Sequence, residues 1–398
     1  MNQFCIGLLS LATVASLSIA EIRVEDEKLV INEDEIIASE AAYFRIEKVA
    51  EGLETPWSME FLPDGDALIG DRESGKLERL NIITGELTPV VGLPVLFIDP
   101  TIGSGLFDVL IHPKFQENSW VYIAAAGGSQ EASGLVVTRM ELKGNKLSNG
   151  KTLLETSPRI SGKWHYGGRL AFSEGKLFIS TGDGNTHSHL AQDLSAHVGK
   201  ILRIGDDGTI PQDNPFVANP DALPEIWSYG VRNPQGMTAH PDTGAIWTNE
   251  HGPQGGDEVN IPRSGVNYGW PAITYGEEYG GGPIGDGETH REGMQQPVYY
   301  WRPSIAPSGI EFYRGDEFPG WNSSLFNGAL ALKHLNRLVI EEDRVIHEER
   351  LLEDKGWRIR FVETGPDGYL YFGIDEGLIL RLVPAPEPAP DQDAGASE

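Results

Sequence analysis

Short alternating apolar runs, each followed by a Gly-containing turn and a second apolar run, recur from about residue 43 to residue 383. Trp57 to Phe61 leads through Asp64-Gly65 into Ala67 to Ile69, Leu170 to Phe172 through Glu174-Gly175 into Leu177 to Ile179, and Phe361 to Glu363 through Asp367-Gly368 into Leu370 to Phe372. A period of two over so few residues predicts half-buried strands, and the turns predict hairpins. Taking the turns near Gly65, Asn118, Gly175, Gly244, Gly320 and Gly368 as equivalent divides the span into six units. Basic-apolar runs after the second strand, Gly75 to Leu80, Gly199 to Ile204 and Gly377 to Leu382, read as third strands. The expected fold is therefore all-β, a six-bladed β-propeller of four-stranded antiparallel blades over residues 43–383. A pair of β-sandwiches is the alternative, and the recurrence argues against it.

Composition fits this reading. The 398 residues include 48 glycines and 26 prolines, suited to many short strands joined by turns. A net charge of -28 argues against nucleic acid or an anionic membrane as a partner, and it makes clustered Lys and Arg conspicuous. Residues 1–20 are apolar and end in Ser18-Ile19-Ala20, resembling a secretory signal without the usual basic start, and so predict a periplasmic or secreted protein. An uncleaved anchor or a mis-assigned start is the other reading. The single cysteine, Cys5, lies in that segment, so the mature chain is expected to have neither disulfide nor integral membrane span. Residues 21–42 read as an acidic leader and 384–398 as a disordered Pro-rich acidic tail.

Candidate chemistry gathers at strand ends. Residues 225–271 carry a hairpin whose turn is Pro241 to Gly244, with Arg232 and Asn233 before it and the loop from Glu250 to Glu258 after it. Gly and Pro in that loop can bring backbone carbonyls to a ligand, and carbonyl oxygens beside carboxylates suit calcium; an ordinary acidic loop is the bland reading. His165 stands beside paired glycines at a strand entrance, where its near-neutral pKa suits a general base or a structural histidine. Arg358 and Arg360 share one face of a strand and would repel unless an anion, internal or bound, lies between them. Lys333 follows another strand, and Asp183, Asn185, Gln192 and Asp193 form a polar loop that could touch a sugar or water. In a propeller such loops share one mouth, which would bring His165, Arg232, Asn233, Lys333, Arg358 and Arg360 together around a small polyanion. The phosphate-loop, Rossmann, Cys-rich and nucleophile-elbow motifs are absent, which argues against nicotinamide and flavin cofactors.

The ordered motifs HYGGRL, AQDLSAHVGKILRI, EIWSYGVRNPQG, EHGPQGGDEVN and GVNYGWP, then the lysine of LALKHLNRL and the arginines of WRIRF, resemble the soluble aldose sugar dehydrogenases that use pyrroloquinoline quinone (PQQ). The likeness runs from about residue 50 to 383. It implies that His165 takes the proton of the sugar C1 hydroxyl while hydride passes to the quinone. It further implies that Arg232 and Asn233 contact the quinone oxygens, that Lys333, Arg358 and Arg360 bind its carboxylates, and that the carbonyls of Gly252 and Pro253 hold calcium. Partners would be an aldose and an unidentified electron acceptor, with the chain a monomer or homodimer. Two positions depart from the family pattern on the sugar side: Gly103 where glutamine is frequent, and Trp164 where glucose-selective members carry aspartate. A calcium-dependent propeller lactonase and a non-catalytic carbohydrate-binding propeller are the competing readings.

Overall fold

The computed structural model describes residues 29–161 and 164–388, so the signal-like segment, the first part of the acidic leader (21–28) and the end of the tail lie outside the described residues. Six antiparallel sheets form, and their innermost strands touch in a closed ring. The inner strands of the first to sixth blades are Pro56–Phe61, Leu106–Ile111, Gly167–Ser173, Pro234–Ala239, Pro307–Phe312 and Ile359–Thr364. Each pairs with the following strand across a hairpin, and all six turns picked out in the sequence fall in those hairpins. The expected six-bladed propeller is therefore the observed fold. It departs from the expectation in one detail, a fifth short strand, Ile37–Ala38, on the last blade.

Closure uses both ends of the described chain. Tyr43–Glu51 pairs antiparallel with Leu378–Pro384, from Phe44 opposite Pro384 to Glu51 opposite Leu378, and so completes the sixth blade from its outer side. A ring closed this way leaves no inner sheet edge open to a second chain. Burial follows position in the blade. Ala67–Asp71, a second strand, is buried at every residue, whereas the outer Tyr43–Glu51 largely alternates because one of its faces meets solvent. Neighbouring blades lock through aromatic pairs: Tyr122 on Phe172 at 5.1 Å, Trp247 on Phe312 at 5.4 Å and Tyr371 on Phe61 at 5.2 Å between ring centroids. Each joins a second strand to the inner strand of the next blade in an edge-to-face arrangement, which adds about 0.5–1.5 kcal/mol beyond burial. Among the described residues no helix is long and apolar enough to cross a membrane.

The connections from second to third strand, and from the outer strand to the next inner strand, emerge at one end of the ring. The other end holds the hairpins and a cavity of about 630 Å³ lined by Glu60, Asp108, Glu311 and Glu363 of four inner strands. Burial is the main cause that lifts their carboxyl groups, Glu60 to about 8 and Asp108 to about 6, with Glu311 and Glu363 also raised. The folded chain thus keeps a proton on Glu60 that the unfolded chain releases near 4.5. That contribution is fully present below 4.5 and is lost as pH rises to about 8. The melting temperature of the wild type, measured relative to Glu60→Gln, is expected to fall between pH 5 and pH 8; a wild type that gains on the variant over this range contradicts the assignment.

Candidate active site

All eight residues singled out in the sequence lie at the loop end of the ring. His165 is in the connection into the third blade, Arg232 and Asn233 in the one into the fourth, and Arg358 in the one into the sixth, with Arg360 one residue inside the strand that follows. Gly252 and Pro253 occupy the second-to-third-strand loop of the fourth blade, and Lys333 the same loop of the fifth.

Backbone and side-chain contacts link most of them. His165 Nδ1 lies 2.7 Å from Asp183 Oδ1, and the other oxygen of Asp183 accepts from Trp270 Nε1 at 2.9 Å. The Asp183 amide donates to Arg232 O at 2.9 Å. Arg232 in turn donates through Nη1 to His251 O at 3.0 Å and to Gly252 O at 2.6 Å, and its guanidinium lies 5.2 Å from the Trp270 ring. Asn233 holds the base of the site: its side-chain oxygen accepts from the Gly167 amide at 3.3 Å and from Gln235 at 3.0 Å. On the far side, Arg358 donates to Leu330 O at 2.6 Å and to Asp375 at 2.8 Å. Arg360 forks onto both oxygens of the same carboxylate and lies 4.6 Å from the Trp57 ring, which Arg72 also approaches at 4.0 Å and Arg169 at 6.0 Å.

The anion expected between Arg358 and Arg360 is thus in part internal, since Asp375 supplies it. One carboxylate faces two guanidiniums, and the two differ in what remains free. Arg360 is buried at 8 %, while the Arg358 side chain is 40 % exposed. Lys333 is exposed and has no ion pair among the described residues. The mouth therefore exposes the cationic ends of Lys333 and Arg358 on a chain of net charge -28.

The electrostatics of His165 suit proton abstraction. Burial lowers its pKa below the ordinary histidine value, the Arg232 charge lowers it further, and Asp183 opposes both. With the Asp183 carboxylate held below its usual range as an acceptor, His165 carries its proton on Nδ1. Nε2 is then left unprotonated, with no hydrogen bond to the described residues. His251 is not a second base, because its Nε2 is tied to Pro307 O at 2.7 Å and burial takes its pKa down to about 3.

Sequence reasoning placed Asp183 in a sugar- or water-binding loop; the structure makes it the partner of His165. Asp375 and Trp270 received no role, and Glu250 entered only as part of the loop read as suiting calcium. Yet one repeated signal unites the acids. Asp71, Asp183, Glu250 and Asp375 each stand at or just beyond the end of a blade's second strand and fasten the loop that enters that same blade. Asp71 accepts from the amides of Glu54 and Thr55, Glu250 from those of Arg232 and Asn233, Asp183 from the His165 ring and Asp375 from the two arginines. Burial lifts Glu250 to about 7.

Two features test whether these residues fit the groups implied by the motifs. The Nε atoms of Arg232 and Arg72 are buried without an acceptor among the described residues, which an anionic ligand at the mouth would supply. The carbonyls of His251 and Gly252 converge on one cationic nitrogen, and such hard oxygens are also the donors calcium takes. A Cβ at Gly252 would collide with the backbone of Gly255 and Gly256, so only glycine allows this loop to close. A cavity of about 580 Å³ beside it is lined by Gly252, Pro253, Ala306 and Ala331. The donor set fits both an anionic ring system and calcium.

The chain belongs to the Glucose / Sorbosone dehydrogenase family, whose profile matches residues 53–381, and this makes the closed six-bladed ring with its carboxylate-held histidine a propeller oxidoreductase. It is 40% identical over 350 residues, covering 86% of this chain and 94% of its relative, to the aldose sugar dehydrogenase YliI of Escherichia coli K12. The crystal structure of the soluble aldose sugar dehydrogenase of Escherichia coli in its apo-form superposes with a TM-score of 0.82 at 40% identity, covering 86% of this chain and 100% of that one. The PQQ-bound aldose sugar dehydrogenase of Streptomyces coelicolor does so with a TM-score of 0.71 at 27% identity, covering 85% and 98%.

Proposed function

We propose that this chain oxidises the C1 hydroxyl of aldose sugars to the lactone, using PQQ and calcium, with His165 as general base. The observation that carries the reading is the His165–Asp183 pair set at the same mouth as Arg232, Lys333, Arg358 and Arg360. The PQQ-bound relative from Streptomyces coelicolor supports the choice of quinone. When bound, the quinone supplies a two-electron acceptor for the C1 hydride, and calcium supplies a Lewis acid beside it. His165 Nε2 takes the hydroxyl proton, Asp183 keeps Nδ1 protonated through the transfer, and Trp270 keeps Asp183 in place. Arg232 and Asn233 would orient the quinone oxygens, Gly252 and Pro253 would offer carbonyls to the metal, and Arg358 and Lys333 would reach the carboxylates. Arg360, already committed to Asp375, would act mainly by holding that carboxylate against Arg358. The signal-like N-terminus supports a periplasmic or secreted setting.

A lactonase would need carboxylate or amide side chains around a central metal, whereas this mouth presents Arg232, Lys333, Arg358 and Arg360. Reconstitution of the purified chain with PQQ and calcium is expected to give aldose-dependent reduction of a dye acceptor. No reduction with any aldose rejects the proposal, and lactone hydrolysis without quinone would favour the lactonase. Arg358→Ala and Lys333→Ala, both at exposed side chains, are each expected to weaken PQQ binding roughly tenfold or more, the scale of a lost charge-assisted hydrogen bond. Titration of quinone into the calcium-loaded protein measures this, and unchanged affinity in both variants removes the carboxylate contacts.

A further inference from the structure

The two positions that depart from the family pattern, Gly103 and Trp164, prove to be in contact. Gly103 ends the short turn Pro100–Ile102 in the connection between the first and second blades, with φ 70°. Trp164 lies in the connection between the second and third blades, immediately before His165, and its amide donates to Ile102 O at 2.8 Å. A Cβ built on Gly103 would collide with Trp164 Cε3 and lie 3.1 Å from Cδ2 and Cζ3, so the six-membered ring of the indole lies against the glycine. About half of the tryptophan's surface stays open.

Trp164 is 48 % exposed, whereas Trp57, Trp247, Trp301, Trp321 and Trp357 are buried. Its backbone is also left-handed, φ 68°, a conformation that a bulky residue keeps only where its surroundings impose it. An apolar ring of this size, held beside a polar mouth in an unfavourable backbone conformation and one residue from the base, leaves about half of its surface in solvent at a cost in stability. Such cost is expected where the ring meets a ligand.

We propose that the open face of Trp164 is the platform on which an aldose ring rests while its C1 hydroxyl meets His165, and that Gly103 is the clearance that lets the indole lie there. The proposal rests on the sugar-oxidation reading above. A pyranose has an apolar face of C–H bonds, weakly positive at hydrogen, which suits the negative face of an aromatic ring. Its hydroxyls leave sideways from that face, toward the polar groups of the mouth. Any side chain at position 103 would displace the indole, and the left-handed backbone there adds to the preference for glycine.

The test compares wild type, Trp164→Ala, Trp164→Phe and Gly103→Ala as PQQ- and calcium-loaded proteins, with D-glucose as the probe. Trp164→Ala is expected to raise KM about tenfold while kcat falls less than threefold and PQQ affinity stays within twofold. Trp164→Phe keeps a platform and should hold KM within threefold of wild type, and Gly103→Ala should shift KM in the direction of Trp164→Ala. Calorimetric binding of D-glucose to the reduced, PQQ-loaded proteins provides a readout independent of turnover, and the Kd of Trp164→Ala should rise by the same factor as KM. Unchanged KM and Kd in Trp164→Ala overturn the platform and leave sugar oxidation intact. A wild type that binds D-glucose without reducing dye with it or any other aldose rejects the oxidation reading, and the platform is then decided by the Kd of Trp164→Ala alone. A wild type that neither binds nor oxidises D-glucose or any other aldose rejects both.

Discussion

Replacing His165 by alanine is expected to lower kcat for aldose oxidation by about 10²–10⁴-fold while leaving PQQ affinity within twofold of wild type. The factor is the usual contribution of a positioned general base, equivalent to about 3–5 kcal/mol of barrier. The split between turnover and cofactor binding follows from the contacts. His165 touches Asp183, and its carbonyl accepts the Gly184 amide at 3.1 Å, but the cationic groups that would meet the quinone are held by other partners: Arg232 by Gly252 O, Arg358 and Arg360 by Asp375. Truncation at Cβ removes the ring and leaves those pairs and the backbone bond in place. Added imidazole should restore part of the lost rate, because the missing group is a diffusible base. Steady-state kinetics with and without imidazole, together with quinone titration, decide the matter. Equal loss of rate and quinone affinity, with no rescue, would make His165 a structural residue.

What could be read from the sequence was whatever neighbouring residues determine. The hairpin turns at Gly65, Asn118, Gly175, Gly244, Gly320 and Gly368 are local chemistry repeated in register, and all six lie where the repeat puts them. The grouping of His165, Arg232, Asn233, Lys333, Arg358 and Arg360 at one mouth follows from topology once the repeat is accepted, since every one of them stands at a connection that emerges at the same end. What escaped was the choice of partner. Arg358 and Arg360 share Asp375 because Ile359 pairs with Ile374 across the sixth-blade hairpin, a register that alternation alone does not fix. His165 meets Asp183 because the loop into the third blade folds over the end of that blade's own second strand, and the matching positions of Asp71, Glu250 and Asp375 were the signal available in the repeat. Gly103 and Trp164 come from different blades, and nothing near either residue announces the other. The expectation for Gly252 was also incomplete, since its carbonyl accepts from Arg232, a contact that the calcium reading had not included.

Substituting Asp183 by asparagine is expected to cost a factor of about 10² or more in kcat, through the histidine rather than through any contact with substrate. The carboxylate presents acceptors to three donors: Oδ1 to His165 Nδ1 at 2.7 Å and to the Asn185 amide at 2.8 Å, and Oδ2 to Trp270 Nε1 at 2.9 Å. An amide has one oxygen. If that oxygen replaces Oδ1, the new NH₂ meets the Trp270 N–H donor to donor, and the ring anchor is lost. If it replaces Oδ2, the NH₂ faces His165 and selects the tautomer protonated on Nε2, which cannot accept a proton there. Asp183 also acts on His165 by raising a pKa that burial and Arg232 lower, so its neutralisation takes that pKa further down. The base is active when unprotonated. The acid limb of kcat/KM, already below the ordinary histidine range in the wild type, should therefore move to lower pH in the variant even as the plateau drops. A positioning role for Asp183 predicts both changes with PQQ affinity retained, measured as a pH–rate profile beside a quinone titration. A lowered plateau with an unmoved acid limb would detach Asp183 from the proton transfer and leave it as a brace for the loop from Gly182 to Asn185.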